Sequence, residues 1–235
     1  MDADDLTPFA PAELVADFLD GLAIMDGRGL TEGFGHLSAR VTAGFLITPA
    51  LAPGLATRAD LFVATPAGEP VHAPAGRRLA LETPLHAALY RARPDLGALC
   101  RTHSPAAVAW GLHGQAFLPS HGFGLMLGAS VPFHPDGDLV TTAEAGDRAA
   151  ATLGSARALF LKGNGLIVGG RTVREAVIRA LYLEEACRAT LAAGLLAPAA
   201  PFSPAERQAR SQWHDAELAR AWDYYSRRPS TRQPK

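Results

Sequence analysis

Two short stretches concentrate the residue types that move protons and hold anions: Glu82-Thr-Pro-Leu-His86 and Arg101-Thr-His103. Within a helix Glu82 and His86 share a face at i, i+4; within a strand Arg101 and His103 point the same way at i, i+2. If the helix and strand meet at one edge, a carboxylate, two imidazoles and a guanidinium converge, a set suited to acid/base work beside an anionic group. The same spacing also suits a plainer arrangement: Glu82 caps the first helical turn, His86 is satisfied and partly buried, and Arg101 and His103 solvate a strand end.

The elements that must position these groups are legible from periodicity. A first helix is expected over residues 11–28, where Leu14, Phe18, Leu22 and Met25 recur at helical spacing, Pro11 suits the first turn and Gly29 ends it. Short apolar runs at 35–40, 44–48 and 60–64, separated by glycine and proline, read as strands of an antiparallel region. Leu85, Ala88, Leu89 and Ala92 restore the helical period over 82–93, Pro94-Asp95 turns the chain, and 96–103 reads as a strand.

A second helix and strand unit opens at a capping box, Thr141-x-x-Glu144, with Gly154 as its stop and 156–161 as the strand. Residues 166–168 form another strand after a Gly-Asn-Gly turn. Thr172-x-x-Glu175 is a further capping box for a long helix to about 193, stopped by Gly194. A loop at 198–204 leads to a terminal helix over 204–225 and a polar tail. No G-x-G-x-x-G follows a strand, so the pattern predicts an α/β protein of three layers, α/β/α, around a mainly antiparallel sheet, and not a dinucleotide-binding domain.

Composition narrows the function classes. The 235 residues suit one domain, 1–235, with its core at about 12–195 and a C-terminal loop, helix and tail at 196–235. Lys+Arg number 22 against 23 Asp+Glu, so no basic surplus exists to neutralise a nucleic acid or an acidic membrane. Cys100 and Cys187 lie in apolar segments without disulfide or C-x-x-C spacing, as suits buried thiols in a reducing compartment. An acidic start and the lack of a long apolar run predict a cytoplasmic protein.

Several motifs in one order carry a resemblance. The stretch from Glu82 through His86 to Arg93-Pro-Asp95, then Arg101-Thr-His103-Ser-Pro-Ala-Ala, is similar to the class II aldolase/adducin segment in which a glutamate precedes a helix, an R-P-D turn and a strand ending in His-x-His. The flanks, Gly29-Leu-Thr-Glu-Gly-Phe-Gly-His-Leu-Ser-Ala-Arg40, Phe45-Leu-Ile-Thr-Pro49 and Gly163-Asn-Gly-Leu-Ile-Val-Gly-Gly-Arg-Thr-Val173, resemble family motifs in the same order. The likeness spans about residues 12–195 and implies the fold shared by fuculose-phosphate aldolase and ribulose-phosphate epimerase.

The resemblance implies a divalent ion, zinc or manganese, held by three histidines beside an acid/base glutamate. Here Arg101 and Asn164 stand at two of the three ligand positions and only His103 is retained as a metal ligand. A guanidinium cannot ligate a cation and an amide is a poor zinc ligand, so weak or absent metal binding is expected. A variant with substitute ligands would join His103 to Glu82, His86, His36 or His121. Ala80-Leu81 replaces the serine pair that cradles a sugar phosphate in the family. The Gly-His-x-Ser-x-Arg loop and Trp222-Asp-Tyr-Tyr225 are closer to the branch containing a pyridine-dicarboxylate decarboxylase.

On this footing the resemblance implies a lyase that cleaves a C–C bond of a small carboxylated or carbonyl metabolite, by decarboxylation or retro-aldol reaction, through an enolate-like intermediate. Glu82, Arg101, His103, Asn164 and Tyr224 are the expected catalytic set, Tyr224 as a proton donor reaching a neighbouring subunit's site in a homotetramer. His36, Ser38, Arg40, His86 and His121 are the expected substrate-binding set. His72, His113, His134 and His214 read as surface or packing residues. The alternative is a non-catalytic, adducin-like scaffold or binding protein that has lost its metal site.

Overall fold

A computed structural model describes residues 6–195, 202–210 and 215–230. The elements run α1 (Ala12–Gly27), β1 (His36–Val41), β2 (Gly44–Ile47), β3 (Phe62–Ala64), β4 (Pro70–His72), α2 (Thr83–Ala92), β5 (Ala98–Thr102), α3 (Pro105–His113), β6 (Phe133–His134), α4 (Ala143–Leu153), β7 (Ala158–Leu161), β8 (Leu166–Gly170), α5 (Val173–Gly194), α6 (Pro204–Arg210) and α7 (Asp215–Arg227).

The strands form one sheet of eight in the order β4-β3-β2-β1-β5-β8-β7-β6. Every pairing is antiparallel except β6 with β7. Two apolar cores lie on its two faces. One is built against α1, α3, α5 and α7 around Phe18, Met25, Val177 and Trp222, the other against α2 and α4 around Leu85, Leu89, Ala149 and Leu153. This is the three-layer α/β/α arrangement, and the alternation of each strand feeds both layers at once.

Local signals explain the helices, with some corrections. Pro84 suits the first turn of α2, and Thr172 caps α5 by accepting from the Glu175 N–H. The α4 cap is Thr142, accepting from the Ala145 N–H, and not Thr141 as the capping-box spacing suggested. Helix α3 was unforeseen because Pro105-Ala-Ala-Val-Ala-Trp-Gly-Leu-His113 is apolar almost throughout and shows no amphipathic stripe. Strands β4 and β6, of three and two residues, are too short to carry a period. The terminal helix appears as α6 and α7; residues 211–214, with the expectation for His214, lie outside the described residues.

Two glycines shape the end of β5 where Arg101 and His103 sit. Gly35 has φ +138° and a Cβ there would stand 2.9 Å from the Arg101 carbonyl oxygen; at Gly165, φ +74°, it would stand 2.1 Å from that of Thr102. Only glycine permits both the backbone conformation and the approach, so the loop before β1 and the β7–β8 turn can close over this strand end.

Candidate active site

Helix α2 lies along β1 in matched steps. Four helical residues rise about 6 Å and two strand residues about 6.6 Å, so a helix stripe at i, i+4, i+8 can stay in register with a strand stripe at i, i+2, i+4. The stripes are Glu82, His86 and Tyr90 on α2 and His36, Ser38 and Arg40 on β1, with Arg101 of β5 opposite His36 in the sheet.

Their contacts run along this seam. Arg101 Nε donates to Glu82 Oε2 at 3.2 Å, and its Nη1 donates to the Thr102 carbonyl at 2.7 Å. His86 Nδ1 lies 2.7 Å from Ser38 Oγ, which also lies 2.9 Å from the Tyr90 hydroxyl. The His36 and His86 rings meet edge to face at 5.8 Å. Asn164, in the β7–β8 turn, hydrogen-bonds through its side chain to His103. Glu82, Arg101, His103 and Asn164 are thus brought together.

Electrostatics keeps the imidazoles neutral. Burial first, then the Arg101 charge and His103, hold the His36 pKa down to about 3. His103 is lowered to about 4 by burial and Arg101, against hydrogen bonds from the Phe34 backbone and Asn164. His86 lies well below its usual value because of burial, His36 and Arg101. At neutral pH these rings donate or accept hydrogen bonds without charge.

Beside this seam opens a cavity of about 530 Å³ lined by His36, Glu82 and His103, with Phe34, Leu51, Leu79, Leu81 and Leu139 among its apolar walls. Six of the thirteen buried side-chain N and O atoms without a hydrogen-bond partner among the described residues cluster here: Glu82 Oε1, His36 Nδ1, His86 Nε2, His103 Nδ1, Arg101 Nη2 and Thr102 Oγ1. Native proteins satisfy most such atoms, so a local concentration of them marks a place built for something other than stability.

Several expectations need correcting. Glu82 occupies the N-cap position of α2 but makes no side-chain cap bond, so its carboxylate serves the ion pair. Arg101 is wholly buried and is absent from the cavity wall, paired with Glu82. Arg40 lies at the C-terminal end of α2, donating to the carbonyls of Tyr90 and Leu96 at 2.9 and 3.1 Å beneath the Tyr90 ring, and does not line the cavity. Ser38 and His86 are fully buried behind His36 and hold one another instead of touching the cavity. His121 and Tyr224 lie elsewhere: His121 packs on Phe123, and Tyr224 lines a separate hollow with Phe123, Tyr182 and Tyr225.

One lining residue was missed. Arg78, four residues before Glu82, borders the cavity. The signal available was a cation four positions from a candidate acid, too common on surfaces to single out.

The model of the Class II Aldolase and Adducin N-terminal domain matches residues 17–191. The chain belongs to the class II aldolase/adducin family. Within the family it is 34% identical over 211 residues to a 3,4-dihydroxyphthalate decarboxylase of Terrabacter sp. strain DBF63, covering 84% of this chain and 87% of that one. A protein of the same name from Arthrobacter keyseri is 30% identical over 175 residues, covering 68% and 71%. In structure the chain resembles L-fuculose 1-phosphate aldolase from Glaciozyma antarctica PI12, with a TM-score of 0.81 at 22% identity over 97% of this chain and 94% of that one, a likeness of fold. These relatives support a class II aldolase-like lyase, and the decarboxylase names belong to benzene rather than pyridine dicarboxylates.

Class II aldolases generally use a divalent metal ion. Among the described residues no three of His, Cys, Asp and Glu are grouped to hold one. The Arg101 guanidinium stands 3.2 Å from the carboxylate that would neighbour such an ion, and an amide stands at Asn164. The residues present do not fit the family's metal. No helix among the described residues is long and apolar enough to cross a membrane.

Proposed function

We propose that this family member is a decarboxylase of a small hydroxylated carboxylate, in which Glu82 moves the proton. The observation carrying this reading is Glu82 itself: one carboxylate oxygen is fixed by Arg101 while the other, unpartnered, belongs to a residue of the cavity wall.

The chemistry follows from that geometry. Glu82 Oε1 takes the proton of a substrate hydroxyl, and the resulting electron density passes into the carbon that carries the departing carboxylate. Glu82 returns its proton to that carbon, giving a keto form in which the former hydroxyl oxygen is a carbonyl; the C–C bond then breaks, carbon dioxide leaves, and the electron pair runs back to that oxygen as an enolate-like anion. Solvent protonates the oxygen, so one proton is consumed for each carbon dioxide released. His36 and His103, uncharged, hydrogen-bond the oxygen where charge develops. Arg101 holds the carboxylate in place, a positioning role.

Apolar walls suit an aromatic ring, and the identity to proteins named 3,4-dihydroxyphthalate decarboxylase supports the same compound as the first substrate to try. Tyr224 enters this reading only through a second copy of the chain, as in a tetramer. The test is carbon dioxide release from 3,4-dihydroxyphthalate, beside cleavage of ketose 1-phosphates. Release from the aromatic acid alone is expected; cleavage of the sugar phosphate instead, or turnover of neither class, overturns the reading.

A further inference from the structure

We infer that Arg78 is the specificity-determining anchor for a second carboxylate on the substrate, one that stays on the ring while the other departs. This rests on the reading of the cavity as a decarboxylase site and deepens it.

The charge inventory of the cavity wall is short. Its ionisable groups are His36, Arg78, Glu82 and His103. Arg101, the other nearby guanidinium, is wholly buried behind Glu82. Among the described residues Arg78 is the one arginine or lysine on that wall, and Glu82 the one acid.

The backbone around Arg78 is fixed. Its carbonyl accepts from the Ala50 N–H at 2.8 Å, and the next residue, Leu79, bridges Pro49 in antiparallel fashion. Arg77 turns the other way: its Nε donates to Asp60 Oδ1 at 2.6 Å, and Asp60 is itself held by the Thr57 hydroxyl and N–H at 2.7 and 2.8 Å. Arg77 is thus pinned on Asp60, while Arg78, next in the chain, borders the cavity. No salt bridge engages Arg78 among the described residues, whereas Arg77 is neutralised.

An aromatic dicarboxylate fits this polarity. One end meets the Glu82 oxygen and the two imidazoles, where a carboxylate is repelled by Glu82 and its loss relieves the repulsion. The other end meets a guanidinium that can grip a retained carboxylate with two parallel hydrogen bonds. A phosphate dianion would find no further side-chain donor beside Arg78, since Leu79 and Leu81 offer none.

Binding of unreactive probes tests this apart from turnover. Benzoate and benzamide share the ring and differ in the charge that Arg78 would hold. The wild-type chain is expected to bind benzoate about 10- to 100-fold more tightly than benzamide, the range of a charge-assisted pair. Arg78→Gln should bring the ratio near one and Arg78→Lys should recover part of it. In turnover of 3,4-dihydroxyphthalate the Arg78→Gln loss should fall on KM and not on kcat. A wild-type benzoate preference that survives in Arg78→Gln, or no preference at all, overturns the proposal. A benzoate preference that Arg78→Gln abolishes, without any carbon dioxide release by the wild type, would sink the decarboxylase reading and leave the anchor standing.

Discussion

The two ends of the seam between α2 and β1 hold the same kinds of group in opposite states. At the far end Arg40 finds the carbonyls of Tyr90 and Leu96 and lies 4.6 Å from the Tyr90 ring centroid, and Tyr90 bonds to Ser38. At the near end Arg101 is buried with Nη2 unmatched, Glu82 keeps one oxygen unpartnered, and three imidazoles each leave a ring nitrogen without a partner. Both ends hold an arginine, exposed at the far end and buried at the near one, and only the exposed Arg40 spends its donors on backbone carbonyls alone. Unsatisfied buried groups destabilise, so their gathering at one end of an otherwise satisfied seam argues that this end serves chemistry.

Breaking the near end should have the largest effect on stability. Arg101→Met removes the counter-charge and leaves the Glu82 carboxylate buried and alone, an expected loss of about 3–5 kcal/mol in denaturant unfolding. Replacing both partners, Glu82→Gln with Arg101→Met, should recover much of that stability without recovering turnover. Arg40→Met at the far end should cost about 2 kcal/mol, through carbonyls left without donors, while kcat/KM stays within a few-fold of wild type. An Arg40 variant that keeps its stability and loses activity would erase the contrast.

The neutral imidazoles predict a pH dependence whose sign follows from their lowered pKa. Below about pH 6.5 the unfolded chain takes up a proton that folded His36 refuses until about pH 3, so stability is full above this window and falls as pH drops through it. The slope is at most about 1.4 kcal/mol per pH unit for each such histidine. His36→Leu should flatten the curve of unfolding free energy against pH between 6 and 4, and an unchanged slope would show that His36 carries a proton in the folded state. Smallest is Ser38→Ala, about 1 kcal/mol from the lost bonds to His86 and Tyr90, measured by thermal unfolding, with a modest fall in kcat as His86 loosens behind His36.

Much of the architecture was legible because its signals are local. The α2 periodicity, the Pro94-Asp95 turn and the Thr172 cap all act within a few residues of themselves. Helix α3 was not, since a uniformly apolar segment has no face to read. The meeting of Glu82, Arg101, His103 and Asn164 followed from motif order, but the division of labour did not. Nothing in the spacing of His36, Ser38 and Arg40 says that the first borders the cavity, the second is buried behind it and the third closes the end of α2. That sorting depends on where α2 stops along β1, a tertiary fact. The place of Arg78 was invisible for the same reason: only the fold brings it to one cavity with His36 and His103.

The central claim is that the unpartnered Glu82 oxygen moves the proton, and Glu82→Gln tests it most directly. With the folded fraction matched by circular dichroism, single-turnover release of carbon dioxide from 3,4-dihydroxyphthalate should slow by about 10²- to 10⁴-fold. Release within a few-fold of wild type by a folded Glu82→Gln protein would contradict the account.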